Sequence, residues 1–466
     1  MALSSSSPAE RRRTQQLLIA LITRLHFYVG LFVGPFLLVA ALSGIAYALT
    51  PQLEDWLYHD ALTTENPSGT PQPLARQIEA AQRAAGSFLS PAAVRPAPEP
   101  STTTRVMFAG EQYGPSENRA VFVDPVTLAI RGDMTVYGTS GVLPLRTALD
   151  QFHRGLLLGD VGRIYSELAA SWLWLAVLGG VFLWWQRRRG RQAVARGSQR
   201  MRQRHATLGV VAVIGLLFFS ATGLTWSQWA GGNIAQLRHA WGWGTPSVST
   251  ELTASSHDMA DAHAEHHGAT MARMTSPAVA PQDFDRAYRA ARAAGIDAGR
   301  IEMIPPVDAN HAWQIREVDR SWPTQVDQVA LDPNSMAVTD RADFADYPLA
   351  AKLTRWGIDL HMGILFGLPN QLALIAFASA LATLVCWGYV MWWRRRPLQA
   401  DKSGAQTLTA IFRRLPWRPR MAVALVTVAL GYALPVMGAS LALFVAIDWA
   451  RWRLAEAASV THIAET

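Results

Sequence analysis

The chain has 466 residues, half of them hydrophobic, with 42 Lys and Arg against 35 Asp and Glu, a formal net charge of +7 and one cysteine. The positive excess does not mark a nucleic-acid binder, because the arginines gather at the ends of apolar runs rather than on a folded face. The lone Cys386, itself inside an apolar run, excludes an intrachain disulfide framework, a cysteine-based zinc site and an iron–sulfur cluster within one chain.

Residues 1–16 are polar, Ser-rich and basic and read as a cytoplasmic tail. Apolar runs long enough to cross a bilayer follow at about 27–49, 166–186, 206–228 and 370–393, which predicts an integral membrane α-helical protein. The first span, 17–49, carries Arg24 and His26 near its start. Its length and these polar residues argue against a cleaved signal peptide. Residues 50–143 shift to Pro, Ser, Thr and Gly. They predict a helix over Leu74 to Ala85, strands at Val106–Phe108 and Ala120–Val123, and a turn at Asp124-Pro125, together a small α+β external domain. Residues 144–189 hold an outer interfacial segment with His153 and then the second span. From His153 to Trp184 is roughly 46 Å if helical, more than a hydrocarbon core of about 30 Å, so His153 belongs at the outer interface.

The loop at 190–204 is basic: Arg187 to Arg204 holds eight arginines and no acid, which places the N-terminus and the loops near 190 and 400 in the cytoplasm. The second half repeats the plan. A third span, 205–229, begins at His205. An external domain, 230–348, predicts a helix at about 283–294 and strands near Ile301–Ile304 and Trp313–Val318. Residues 349–396 carry His361 and the fourth span, and 397–420 form a cytoplasmic loop. The last hydrophobic segment, 421–452, is interrupted by Pro435, and a kinked span and a hairpin both remain open. Trp184, Trp185, Trp392 and Trp393 flank spans as interfacial anchors do.

The halves are a tandem duplication. His153-x-Gly-x-x-x-Gly and His361-x-Gly-x-x-x-Gly are related by an offset of 208 residues that runs unbroken from Asp124/Asp332 to Trp184/Trp392. His26-x-x-x-Gly30 and His205-x-x-x-Gly209 are related by an offset of 179. Each half therefore keeps two histidines, one at the inner and one at the outer end of its spans. A single interfacial histidine is most often a hydrogen-bonded structural residue, but duplicated ionisable side chains near membrane depth are functional candidates. Two neutral imidazoles on opposite faces of a planar macrocycle are what a b-type haem requires. The pattern thus nominates His26 with His205 and His153 with His361 as ligands of two haems b. Gly30, Gly209, Gly155 and Gly363 would leave room for the macrocycles. Ser43-Gly44 and Thr222-Gly223 read as small residues for helix packing.

A second signal is the low-complexity insert 253–274, with His257, Met259, His263, His266, His267, Met271 and Met274. Imidazole and thioether ligands suit copper, and the competing reading is a solvated loop.

Taken with Arg24-Leu-His26, Gly162-Arg163, Trp184-Trp185 before Arg187–Arg189, His361-x-Gly and the paired Asp-Pro turns, the chain resembles the PepSY-associated transmembrane-helix family over about residues 20–396. These are iron-regulated proteins of the bacterial inner membrane. The resemblance implies a duplicated four-helix transmembrane core with two small PepSY-like periplasmic domains. It further implies a b-haem protein that reduces a ferric siderophore or other metal chelate in the periplasm. No Gly-rich dinucleotide fingerprint opens a helix, so electrons would come from a quinol or a separate donor. The alternatives are a copper-handling, cupric-reducing membrane protein and a non-catalytic PepSY membrane protein.

Overall fold

The computed structural model describes residues 7–86, 91–114, 116–138, 141–189, 197–252, 279–394 and 407–464. Helix α1 (Pro8–Tyr28) opens on a capping box: the Ser7 hydroxyl accepts from the Glu10 amide, and the Glu10 carboxylate takes the Ser7 amide. One π-helical turn, Val29–Val33, joins it to α2 (Gly34–Ala48). Then come α3 (Thr50–Leu57), α4 (His59–Leu62) and α5 (Leu74–Ala85), the last ended by Gly86 in the left-handed region. Four strands follow, β1 (Ala93–Arg95), β2 (Thr104–Phe108), β3 (Glu117–Val123) and β4 (Ile130–Tyr137). Helices α6 (Pro144–Gly155) and α7 (Gly159–Arg189) close the first half.

The second half runs through α8 (Gly197–Val211), α9 (Val213–Thr225), α10 (Trp229–Ala240) and α11 (Pro281–Ala293). It continues with β5 (Ile301–Ile304), β6 (Trp313–Glu317), β7 (Gln328–Leu331) and β8 (Val338–Ala342). Helices α12 (Leu349–His361) and α13 (Leu368–Trp393) end the repeat, and α14 (Leu408–Arg414), α15 (Trp417–Ala433) and α16 (Pro435–Ala464) follow it.

Among the described residues, three helices are long and apolar enough to cross a membrane: Pro8–Ala48, Gly159–Arg188 and Leu368–Trp393. A fourth is available if Arg200–Val211 and Val213–Thr225, bent by 62° at Ala212, count as one span. The chain divides into two units, each described on its own. A helical unit takes Met1–Ile45, Gln151–Ile234 and Ala373–Thr466, and a mixed unit takes Ala46–Asp150 and Ala235–Leu372.

The core of the helical unit is a layer of Val29, Val33, Leu37, Trp172, Leu173, Leu216, Leu381 and Met437, all buried. Two carboxylates sit inside it, and both cap helices. Glu167 on α7 accepts from the Trp229 and Ala230 amides at 2.9 and 3.1 Å, the first turn of α10. Asp448 on α16 accepts from Tyr28 Oη at 3.0 Å and from the Leu408 and Thr409 amides at 3.1 and 2.7 Å, the first turn of α14. A buried carboxylate is tolerable when several donors satisfy it and a helix N-terminus supplies positive potential. At Leu434 the chain leaves helical geometry, and a Cβ placed on Gly438 would come within 2.6 Å of the Gly431 carbonyl oxygen. Positions seven apart in one helix are roughly 10 Å distant, so α15 and α16 form a hairpin.

In the mixed unit the sequence reading separates two small α+β domains, but their strands join. All eight form one antiparallel sheet in the order β4-β3-β2-β1-β5-β6-β7-β8, with β1 and β5 meeting at Val94 and Met303. Either half alone would leave β1 or β5 as an unpaired edge, and the pairing removes both. Helices α5 and α11 cover one face, where Ile78, Val94, Phe284, Met303, Trp313 and Ile315 are fully buried. The two Asp-Pro turns keep the same device: Asp124 accepts from the Val126 and Thr127 amides, and Asp332 from the Asn334 and Ser335 amides.

Candidate functional site

His26 stands in the last turn of α1, just before the π-helical turn. Such single turns break the regular ladder and recur at functional positions. Pro35, four residues beyond Leu31, has no N–H to give its carbonyl, which accepts instead from Tyr389 Oη of α13 at 2.5 Å. The His26 ring leans on α7, and its Nδ1 lies 3.0 Å from the Ala176 carbonyl oxygen. A carbonyl only accepts, so Nδ1 carries the proton and Nε2 the lone pair. The α7 surface beneath the ring is Gly179-Gly180. A Cβ on Gly180 would sit 3.2 Å from His26 Cε1, and one on Gly179 3.9 Å from Nδ1. A larger residue at 180 would push the imidazole off its carbonyl anchor.

His205 on α8 faces His26, with ring centroids 6.5 Å apart and planes at 84°. Its Nδ1 is buried with no hydrogen-bond partner of good geometry among the described residues. The bend at Ala212 follows two turns later. A separation of 6.5 Å is within the range of plain edge-to-face packing, and the Leu384 backbone also bears on the His205 ring. Two imidazoles that bind one metal from opposite sides, each at about 2 Å, hold their centroids roughly 6 Å apart. The donor set and spacing therefore fit a bis-imidazole centre. Gly30, one turn beyond His26, has nothing within 4 Å of where a Cβ would stand.

His153 closes α6. Its Nδ1 is 2.9 Å from Ser43 Oγ, and the Ser43 hydroxyl donates to the Val39 carbonyl at 2.7 Å. With the serine proton committed, His153 Nδ1 is the donor and Nε2 again carries the lone pair. A Cβ on Gly44 would come 3.4 Å from His153 Cε1. Ser43-Gly44 is thus the seat of His153 and not, as the sequence suggested, only a packing pair. In the other half the packing reading stands for Gly223, whose Cβ position is 3.1 Å from Ala170 Cβ.

His361 ends α12 in the mixed unit, whereas His153 lies in the helical unit. The turn after His361 is fixed by neighbours of opposite charge. Arg320 donates through Nε to Asp359 at 2.5 Å and lies 3.4 Å from Met362 Sδ, and Asn370 holds the Leu360 carbonyl at 2.9 Å. The insert with His257, Met259, His263, His266, His267, Met271 and Met274 lies outside the described residues. Among the described residues no group of three or more His, Cys, Asp or Glu is placed to hold a metal ion.

A model of the PepSY-associated TM region matches residues 23–395 of the chain. No curated protein matches it.

Proposed function

The chain belongs to the PepSY-associated TM family, and on that premise we propose that it is a b-type haem electron-transfer protein of the bacterial inner membrane that reduces a ferric chelate in the periplasm. The observation that carries this reading is the His26–His205 pair: two imidazoles from corresponding positions of a duplicated chain, facing each other at 6.5 Å. His26 and His205 would hold one haem, and the sequence nominates His153 and His361 for a second. When bound, the haems would supply reversible one-electron chemistry at low-spin iron. The finer architecture belongs to the same proposal: a duplicated four-span core whose two halves enter the membrane in the same direction, PepSY-like periplasmic domains in the mixed unit, and a cytoplasmic N-terminus set by the arginines at 187–204.

The protein's own contribution is positioning. The Ala176 carbonyl and Ser43 hydroxyl hold the His26 and His153 rings in the tautomer that presents Nε2, and such outer partners raise ligand basicity as well as fixing orientation. Leu37, Trp172, Leu173 and Leu216 keep the surrounding core dry. The substrate would be Fe(III) held by oxygen ligands. Gain of one electron gives Fe(II), for which hard oxygen ligands have lower affinity, and the iron is released. The electron originates from a quinol or a separate donor. The test is to reduce the purified protein anaerobically, remove the reductant, and add ferric chelate with an Fe(II)-specific chromophore. Reoxidation of the protein matched by Fe(II) appearance is expected. A reduced protein that stays reduced with excess chelate would refute the reading.

A further inference from the structure

The sheet face opposite α5 and α11 carries a buried apolar cluster that includes Ala93, Met107, Phe122 and Ile304, and beside it a set of charged side chains. Arg95 on β1 pairs across the ladder with Arg105 on β2, and Glu302 on β5 with Arg316 on β6. Arg95 Nη2 is 2.6 Å from Glu302 Oε2, and Arg316 Nε is 2.9 Å from Glu302 Oε1. Arg146 of α6 reaches Glu54 of α3 at 2.8 Å, and both act electrostatically on Arg105. Among the described residues this cluster sets four guanidiniums against two carboxylates, a surplus of two positive charges.

The exposure of the two signs differs. Glu302 and Glu54 are 4% and 6% exposed, whereas Arg95, Arg146 and Arg316 keep 14%, 17% and 20%. The acids are the more deeply buried, Arg105 is largely buried with them, and Arg95, Arg146 and Arg316 keep only partial exposure. A Cβ built on Gly141 would stand 2.8 Å from Arg95 Nη1 and 3.0 Å from Arg105 Nη1. Those two like-charged groups are therefore no more than about 6 Å apart, and their repulsion is offset in part by Glu302, which accepts from Arg95, and by the Gly141 carbonyl, which accepts from Arg105. Arg146 Nε is buried without a hydrogen-bond partner among the described residues. Burial, with the charge of Arg95 beside it, pushes Arg105 down to about 9, so it still carries its proton at neutral pH. The cluster spans the β1–β5 seam, where the two repeats join.

We propose that the Arg95–Arg105–Arg146–Arg316 cluster is the binding site for an anionic ferric chelate, one whose iron ligands are carboxylates or phenolates. Guanidinium forks match carboxylate geometry in pairs, and neutral hydroxamate chelates gain nothing from the surplus charge. The inference rests on the reductase reading for its ligand, but its test does not need electron transfer.

The experiment is calorimetric titration of the oxidised full-length protein in detergent with ferric citrate, iron-free citrate and a neutral ferric trihydroxamate. Ferric citrate is expected to bind at least tenfold tighter than the trihydroxamate. Arg105→Gln and Arg146→Gln are each expected to weaken it by about tenfold or more, the usual consequence of losing a charged hydrogen bond. The exposed Arg76→Gln, on α5 across the sheet, serves as the unchanged control. If either cluster variant loses its fold, judged by circular dichroism, the decision falls to the wild-type protein. Weakening of ferric citrate by rising salt and competition by sulfate then support the site. Equal affinity for anionic and neutral chelates, for ferric and iron-free citrate, or for wild type and folded Arg105→Gln overturns it. Failure of the haem reading would leave these affinities untouched, so the two failures are distinguishable.

Discussion

Glu302→Gln is the perturbation whose size the structure fixes best. The carboxylate is 4% exposed and is shared by Arg95 and Arg316. Burial alone would push it up, but the two guanidiniums outweigh burial and hold it at about 2, against 4.5 in the unfolded chain. A depressed carboxylate contributes stability above its unfolded value and loses it as pH falls through the folded one. The contribution, about 3 kcal/mol at neutral pH, should therefore fade between roughly pH 4.5 and 2. Replacing the carboxylate by a neutral amide leaves two buried cations without their counter-charge, a cost of about 3–5 kcal/mol in comparable cases. At about 2–4 °C per kcal/mol for a unit of this size, the melting temperature should fall by roughly 6–20 °C at pH 7. The assay is tryptophan-fluorescence melting of the full-length protein in detergent at one scan rate, since membrane proteins unfold irreversibly. The gap between wild type and variant should narrow as the pH drops from 5 towards 3. A folded variant that melts within about 2 °C of wild type at pH 7, or a gap that widens in acid, would refute the reasoning.

Two further substitutions probe the histidine seats. Gly180→Val places branched carbons where His26 Cε1 already stands 3.2 Å from a single Cβ; haem content per chain should fall by about half while the protein still folds, as read by pyridine haemochrome and circular dichroism. Ser43→Ala removes the acceptor of His153 Nδ1; haem retention during dialysis against apomyoglobin should weaken by about 10–100-fold, the usual effect of losing such an outer partner, and a spectrum and retention equal to wild type would detach His153 from the cofactor.

Much of the fold was legible because it is local. Leu74–Ala85 has helical periodicity ended by Gly86, and that helix is present with those ends. The Asp-Pro turns, with an Asp that hydrogen-bonds its own backbone two and three residues on, announce the β3–β4 and β7–β8 connections. The paired motifs at offsets of 208 and 179 residues are legible in the sequence, and they nominate the candidate histidines. What the sequence hid depends on distant partners. Nothing in Ala93–Arg95, three residues long, says that it pairs with a strand some two hundred residues away, so the strands of one sheet were assigned to two separate domains. The bend at Ala212 carries no Pro or Gly of its own, whereas the π-helical turn at Val29–Val33 is marked in the sequence by Pro35, which has no N–H to give the Leu31 carbonyl. Ser43-Gly44 was misjudged because small residues in a span usually serve helix contact, and only the return of α6 brings His153 onto them. Glu167 and Asp448 show the same limit: each is a lone acid in an apolar run until the helix it caps is in place.

The most direct test of the central claim is the dithionite-reduced minus air-oxidised visible spectrum, with haem quantified per chain, for wild type, His205→Ala and the double variant His26→Ala/His205→Ala. The account predicts sharp low-spin α and β bands at near two haems per chain in wild type. His205→Ala should lose about one haem or shift it to high spin, and the double variant should lose no more than that, since both histidines serve one site. A colourless wild-type protein from haem-replete cells, or single and double variants with the full wild-type spectrum, would contradict it.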